Sequence, residues 1–486
     1  MALDETSQPI ELLLSVRRDG ARTLGAQIED QLRNAIRDGA LRPGARVPST
    51  RDLARQLGVS RRVVVDAYAQ LAAEGYLTLR QGARPRVSAS AAVAAEQRTT
   101  AQPAERRPRF DFRPSVPDVS TFPRAAWLRS LRHALATVTD DELGYGDPRG
   151  VMDLRVALAD YLGRVRGVVA DPDHVVVTSG YTQGLGLLCR ALASAGATRI
   201  ALEDPSNPED ALVAGRAGLE PVWISVDAEG ARIEELTQAR ADAVVLTPAH
   251  QHPTGAVLSG ERRTALLAWL RERGAIAIED DYDAEYRYDR AAVGALQGLD
   301  PDRVVYTGSA SKTLAPALRI GWLVVPPALL EAVVREKVLA DRGTARIEQH
   351  AFADFLTRGE LDRHLRRMRA RYRARRDALI DALADALPEA AVSGVAAGLH
   401  LTVRLPDGDD EQAIQEQALR RRIEIETMSE LRPQGVDRPP ALVLGYAQMP
   451  EPAIRAGVRE LSDAVRASRS ATRSGSGAAT RVGRGQ

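Results

Sequence analysis

A lysine set among small hydroxyl residues, Ser309-Ala310-Ser311-Lys312, follows closely on the apolar run Val304-Val305-Tyr306. A primary amine in such a place can condense with an aldehyde to an imine once burial has lowered its pKa. Lysine and arginine together number 66, and all but Lys312 and Lys337 are arginine. A guanidinium stays protonated and forms no imine, so a position that stays lysine in this chain invites a chemical reason. Ser309 and Ser311 add hydroxyls, and Arg319, a short way on, adds a planar fork suited to a phosphate. By itself the tetrapeptide reads equally as a surface lysine beside a turn.

Three other segments carry complementary groups. Glu279-Asp280-Asp281-Tyr282 closes the apolar strand Ala275–Ile278. A carboxylate there can keep a heteroaromatic nitrogen protonated, which makes the ring an electron sink, and a phenol can bond a ring oxygen. Thr178-Ser179-Gly180-Tyr181-Thr182-Gln183-Gly184 leads from the run Val175–Val177 into a helical pattern. Backbone N–H groups at a helix start suit a phosphate. His250-Gln251-His252-Pro253-Thr254-Gly255 follows the run Ala243–Leu246. Its two histidines could suggest a metal, but few acids or cysteines lie nearby, and no metal is expected. Each segment alone also reads as an ordinary loop between strand and helix; the weight lies in the four together.

The elements that must hold these segments alternate strand and helix along residues 110–465, the pattern of an α/β domain with a mostly parallel sheet. Residues 88–109 are rich in Ala, Arg, Gln, Thr and Pro, nearly lack large apolar side chains, and read as a flexible linker. Residues 466–486, with five arginines and no acid, read as a disordered basic tail. Residues 1–87 stand apart as a small module with its core at 24–87. There Leu24, Ile28, Leu32 and Ile36 recur at helical spacing. Ser49 is placed to cap a second helix and Ser60 a third, which carries Val64, Ala67, Tyr68 and Leu71 on one face. Tyr76–Leu79 and Arg86-Val87 read as two short strands joined around Gly82, a wing.

Net charge is +1 over 486 residues, so the chain as a whole does not advertise a polyanion partner. Residues 24–87, however, hold eleven arginines against six acids, a local excess of +5. The order helix, helix, turn, helix, wing belongs to winged helix-turn-helix modules, which set the start of the third helix against base edges. Arg61 and Arg62 open that helix, and arginine matches guanine O6 and N7. A three-helix protein-binding module with a solvated arginine face is the alternative. Cys189 is the only cysteine, which excludes a disulfide framework. The first residues include Asp4 and Glu5 and no apolar leader, and no apolar run reaches the ~18 residues of a membrane span, so the expected compartment is the cytoplasm.

The stretch VPSTRDLARQLGVSRRVVVDAYAQLAAEGYL resembles the GntR family of bacterial repressors. The resemblance implies DNA contacts by Arg51, Arg61 and Gly82, with Arg62 a further candidate. The wing here, Gln81-Gly82-Ala83-Arg84-Pro85, departs from the usual glycine-rich sequence. The four chemical segments, with Tyr145-Gly146-Asp147-Pro148-Arg149-Gly150 and Ser311-Lys312-Thr313-Leu314-Ala315-Pro316, resemble fold type I enzymes dependent on pyridoxal 5′-phosphate (PLP). More narrowly they resemble the MocR/GabR regulators, including the branch that regulates PLP synthesis, which join a GntR-type winged helix to an aminotransferase-like domain. The resemblance implies that Lys312 binds the PLP aldehyde, Asp280 pairs with the pyridine nitrogen, Tyr282 bonds the ring oxygen and Arg319 binds phosphate. Tyr181, Thr182 and Gly180 complete the phosphate cup with Ser309 and Ser311, and His252 adjoins the cofactor. It also implies a homodimer.

Two departures from that family's enzymes bear on activity. Asn207, in Glu203-Asp204-Pro205-Ser206-Asn207-Pro208, stands where an aromatic usually stacks on the cofactor, and is expected to lie against the ring. Val443, in Leu442-Val443-Leu444-Gly445-Tyr446-Ala447, stands where aminotransferases place the arginine that clamps a substrate carboxylate; Arg432 is the one substitute in view. The expectation is therefore a DNA-binding regulator that senses PLP, or PLP with a small amine or amino acid. A working aminotransferase that carries a DNA-binding domain is the alternative, and a repressor whose large domain has lost PLP is a third reading.

Overall fold

A computed structural model describes residues 14–18, 22–80, 83–89, 108–288, 293–433 and 439–482, the last twelve of these as backbone only. The chain divides into two compact units, Met1–Arg106 and Arg107–Gln486. The first contains α1 (Leu24–Arg37), α2 (Thr50–Leu57), α3 (Arg61–Ala73), β1 (Leu77–Thr78) and β2 (Arg86–Val87). Each helix starts on a side-chain cap: Thr23 accepts from Ala26 N, Ser49 from Asp52 N and Ser60 from Val63 N. Their apolar faces meet in one core of Ile28, Leu32, Leu53, Val64, Tyr68 and Leu71. The two strands pair antiparallel, Leu77 opposite Val87. Gly82, and residues 90–107 of the expected linker, lie outside the described residues.

The second unit runs β3 (Phe110–Asp111), α4 (Arg124–Thr137), α5 (Met152–Arg166), β4 (Val175–Thr178), α6 (Tyr181–Ser194), β5 (Arg199–Asp204), α7 (Pro208–Arg216), β6 (Glu220–Asp227), β7 (Gly230–Ala231), α8 (Glu235–Ala239), β8 (Ala243–Leu246), α9 (Gly260–Arg273), β9 (Ile276–Asp280), β10 (Val304–Ser309), α10 (Ala310–Thr313), β11 (Gly321–Val324), α11 (Pro327–Asp341), α12 (Arg346–Thr357) and α13 (Glu360–Ala386). An eight-stranded sheet has the order β4-β11-β10-β9-β8-β5-β6-β7. β10, β9, β8, β5 and β6 pair parallel, whereas β11 runs antiparallel between β10 and β4. β4, β8 and β11 are buried throughout, and β10 and β9 except at one or both ends, the Val/Ile/Leu-rich composition of a sheet covered on both faces.

A second sheet of β12 (Ala391–Ser393), β13 (His400–Arg404), β15 (Glu426–Thr427) and β16 (Ala441–Gly445) follows, with α14 (Glu411–Arg420) and β14 (Ile423–Glu424) within it in sequence. β3 adds to this part by pairing parallel with β14. The last helix, α15 (Glu451–Val482), runs on past residue 466, where a disordered tail 466–486 was expected; residues 483–486 lie outside the described residues. The helix continues because residues 466–470 are anchored: Ser468 is buried, and Arg469 forms paired hydrogen bonds with Asp409 and a further bond to Glu389. Composition alone gave no sign of those partners.

Candidate functional site

The parallel strands end in a row. Thr178, Asp204, Leu246, Asp280 and Ser309 are the last residues of β4, β5, β8, β9 and β10, and the loops beyond them enclose a cavity of about 320 Å³. Ligands of open α/β sheets bind at this carboxyl edge. Lys312, Asp280, Tyr282, Arg319, Ser309, Ser311, Tyr181, Thr182, Asn207 and His252 all line the cavity. Gly180 opens α6 beside it, and a Cβ there would fall 3.3 Å from the Arg319 guanidinium. The antiparallel strand β11 makes this possible: Ser309 of β10 pairs with Gly321, and Gly321 with Thr178 of β4, so the lysine loop and the α6 loop become neighbours.

Burial sets the electrostatics. It pulls the Lys312 ammonium down from its ordinary value, with Asp280 and Asp283 opposing. It lifts the Asp280 carboxyl well above its ordinary value, aided by Asp210 and Asp281 and opposed by the Thr307 hydroxyl and Lys312. His252 is driven to about 3, by burial first and then by Lys312, so its imidazole is neutral. Its Nδ1 is buried and meets no hydrogen-bond partner among the described residues.

Several side chains depart from the roles expected of them. Asn207 caps α7: its Oδ1 accepts from Glu209 N at 3.3 Å and its amide donates to Asp210 at 3.2 Å, so the side chain is tied to the helix start rather than free to stack. The Tyr181 hydroxyl donates to Asp210 at 2.9 Å, so what Tyr181 and Thr182 bring to an anion is the first turn of α6. Val443 packs with Met428, Leu431 and Ala441. Arg432 lines a neighbouring cavity with Arg404 and is not part of the cofactor cavity wall.

Sequence reading missed Asp210, Glu203 and Thr247. Asp210 is buried inside α7, and that burial pushes its carboxyl to about 7. Glu203 is likewise at about 7 and accepts from both the Thr247 hydroxyl, at 2.6 Å, and its backbone N–H. The parallel pairing of β5 with β8 brings Glu203 to Thr247, and Asp210 reaches Tyr181 and Asn207 from the first turn of α7. Lys337, the other lysine, is structural. Its buried ammonium donates to Gln183, Asp341 and Thr344 at 3.1, 2.7 and 2.8 Å, three acceptors for three protons. Among the described residues no group of three or more His, Cys, Asp or Glu is placed to hold a metal ion.

In the small unit, Arg51, Arg61 and Arg62 are all exposed at the starts of α2 and α3. Arg61 reaches back to the Thr50 hydroxyl at 3.4 Å, and Arg62 lies 3.9 Å from Asp66, a loose exposed pair.

Residues 117–459 match the aminotransferase class I and II family, and residues 24–87 match the gntR family of bacterial regulatory proteins. The pyridoxine biosynthesis transcriptional regulator PdxR of Corynebacterium glutamicum is 33% identical over 71% of this chain and 76% of its own length. The probable rhizopine catabolism regulatory protein MocR of Rhizobium meliloti is 34% identical over 74% of this chain and 76% of its own. Among solved structures, the α-aminoadipate aminotransferase LysN of Thermus thermophilus, complexed with N-(5′-phosphopyridoxyl)-L-leucine, superposes with a TM-score of 0.67 at 25% identity, over 74% of this chain and 93% of that one. No described helix is long and apolar enough to cross a membrane. With a gntR-type DNA-binding domain before an aminotransferase domain whose cofactor is PLP, the chain belongs to the MocR/PdxR family of helix-turn-helix transcription regulators.

Proposed function

We propose that the large domain holds PLP as a sensor, and that its occupancy, alone or with a small amine or amino acid, sets the affinity of the winged helix for DNA. The observation that carries this reading is the convergence of Lys312, Asp280, Tyr282, Arg319 and the first turn of α6 on one cavity at the carboxyl edge of the sheet, where burial lowers the lysine and raises the aspartate. Lys312 binds the aldehyde carbon. Asp280 would pair with the pyridine nitrogen, whose protonated form would add a cation beside the buried carboxyl. Tyr282 and His252 take the ring oxygen side. Arg319, Ser309, Ser311 and the first turn of α6 hold the phosphate. PLP, when bound, supplies an aldehyde for amines and an electron sink for the bonds beside the nitrogen.

Val443 supports sensing over turnover. With apolar packing at that position and Arg432 in another cavity wall, no described guanidinium but Arg319 lines the cofactor cavity, so a substrate carboxylate lacks its fork. A homodimer matches the exposed Leu135, Leu143 and Tyr145 of the large domain, whose apolar surface a second copy would cover. A protein that works on the bacterial chromosome belongs in the cytoplasm, and vitamin B6 or amino-acid genes are the targets this chemistry suits. PLP can switch DNA binding only if it favours one arrangement of the protein over another.

The test is fluorescence anisotropy on DNA from the gene's own upstream region, without PLP, with PLP, and with Lys312→Ala. A PLP-dependent shift in Kd that Lys312→Ala abolishes is the expected result. Unchanged binding in all three arms would sink PLP sensing, and a screen for amine effectors and transamination would follow.

A further inference from the structure

Behind Tyr282, outside the cavity wall, stands a buried His250–Asp283 pair whose side chains are 3% and 1% exposed. His250 Nδ1 lies 3.1 Å from both Asp283 carboxylate oxygens and 3.1 Å from the Tyr282 hydroxyl oxygen. A carboxylate has no proton to donate, so the imidazole carries its own on Nδ1 and shares it between Asp283 and the phenol oxygen. Tyr282 therefore accepts on that side. With His250 donating to its oxygen, the phenol proton is left for another acceptor, and Tyr282 also lines the cavity.

The surroundings hold this arrangement in place. Gly398, at φ +73°, presses on the pair so closely that a Cβ would fall 2.2 Å from His250 Cε1 and 2.5 Å from Asp283 Oδ2. The His400 ring lies 5.3 Å from that of His250, tilted by 42°, but spends its own Nε2 proton on the Pro253 carbonyl at 3.2 Å. The Tyr446 hydroxyl is spent on the Gly398 carbonyl at 2.6 Å. The charged groups that face this corner are Asp280, Glu203 and Lys312, and they act on Tyr282 and His252 through space. Burial, with Asp283 next, holds the Tyr282 phenol well above its ordinary pKa, so it keeps its proton to donate.

We propose that His250, locked by Asp283, is a positioning residue that fixes the Tyr282 hydroxyl as a hydrogen-bond donor into the cofactor cavity. The proposal rests on the reading of that cavity as the PLP site. A donor held on the ring oxygen of PLP competes with the proton which that oxygen would otherwise share with the nitrogen linked to Lys312. It therefore lowers the pH at which the bound chromophore loses that proton.

The test is the pH titration of visible absorbance of the PLP-loaded full chain. Tyr282→Phe sets the scale: its midpoint is expected to rise by about one to two pH units, the size of one charge-assisted hydrogen bond. His250→Leu and Asp283→Asn are expected to rise with it. In the first no N–H faces the phenol; in the second the imidazole can take its other tautomer and draw the Tyr282 proton to itself. His250→Asn, which restores an N–H near the Nδ1 position, is expected to titrate close to the parent protein. Added to Tyr282→Phe, neither His250→Leu nor Asp283→Asn shifts the midpoint further, which a merely structural role would not predict. Parental midpoints in both single variants, or shifts that persist undiminished in the Tyr282→Phe background, would overturn the positioning role alone. A chain that takes up no PLP and shows no visible band loses the cofactor reading and this one together.

Discussion

Asp210 shows how one buried carboxyl can tie cofactor chemistry to stability. Burial raises it to about 7, above the ~3.9 of an unfolded chain. A carboxyl whose pKa rises on folding favours the fold while protonated; that contribution is full below about pH 4 and is lost as pH climbs through 7. Asp210→Asn presents the donor–acceptor pattern of the protonated acid at every pH. The cofactor-free variant is expected to melt a few degrees above the parent at pH 8, with the gap closing toward pH 5, as read by calorimetry. Equal melting at pH 8 would mean that Asp210 is not desolvated there. Lys337 makes a separate case. Its three acceptors suit a tetrahedral ammonium, and the planar fork of Lys337→Arg cannot meet them in the same space, so a cost of about 2–4 kcal/mol in chemical denaturation is expected although charge is kept. The two lysines retained in this arginine-rich chain thus have two different chemical reasons: an ammonium geometry at Lys337 and an amine of lowered pKa at Lys312.

At the scale of elements, the site depends on how closely β11 approaches the start of α6. A Cβ on Gly321 would fall 2.8 Å from Gly180 Cα, a backbone atom that cannot turn aside. Gly321→Ala is expected to force the α6 loop away from Arg319 and to weaken PLP binding at least tenfold by absorbance titration, about 1.4 kcal/mol. Binding within twofold of the parent would show that the loop relaxes freely. In the small unit, Ser49→Ala and Ser60→Ala each remove a cap and are expected to cost about 1 kcal/mol by thermal melting of the unit. The elements that sequence made legible were those with an unambiguous period or terminus: the three helices of the small unit, the second and third with their serine caps, and the buried runs that became β4, β8, β9 and β10. The edges of the small sheet were not legible, because β12 and β15 are only three and two residues long and show no period. Asp210 and Glu203 escaped for another reason. Their local sequence is that of a helix start and a strand end, and only strand order makes them neighbours of Lys312. His250 was noticed but weighed only as a metal ligand, since its partner Asp283 lies 33 positions away.

For the whole molecule, the excess charge sits in the first unit while the chain is almost neutral. Three exposed arginines at the helix starts should each contribute to the salt dependence of DNA binding. Arg61→Ala is expected to lower the slope of log K against log salt by about one if it meets a phosphate, or to relax base preference if it meets a base edge. Linkage adds a requirement on the sensor. If PLP changes the DNA affinity by some factor, saturating DNA must change the PLP affinity by the same factor. Titrating PLP by absorbance with and without operator DNA measures it, and a twofold disagreement between the two factors would show that a third component takes part.

Arg319 sits in the left-handed backbone region, φ 52° and ψ 44°, where a side chain strains the main chain and glycine does not. The fold therefore harbours a conflict between durability and recognition at this one residue. Arg319→Gly should make the empty chain sturdier, by up to ~1 kcal/mol, while it would remove the guanidinium proposed to hold the phosphate. Populations selected for heat resistance without need of the vitamin would drift toward that replacement, and those that must still sense it would be held at arginine.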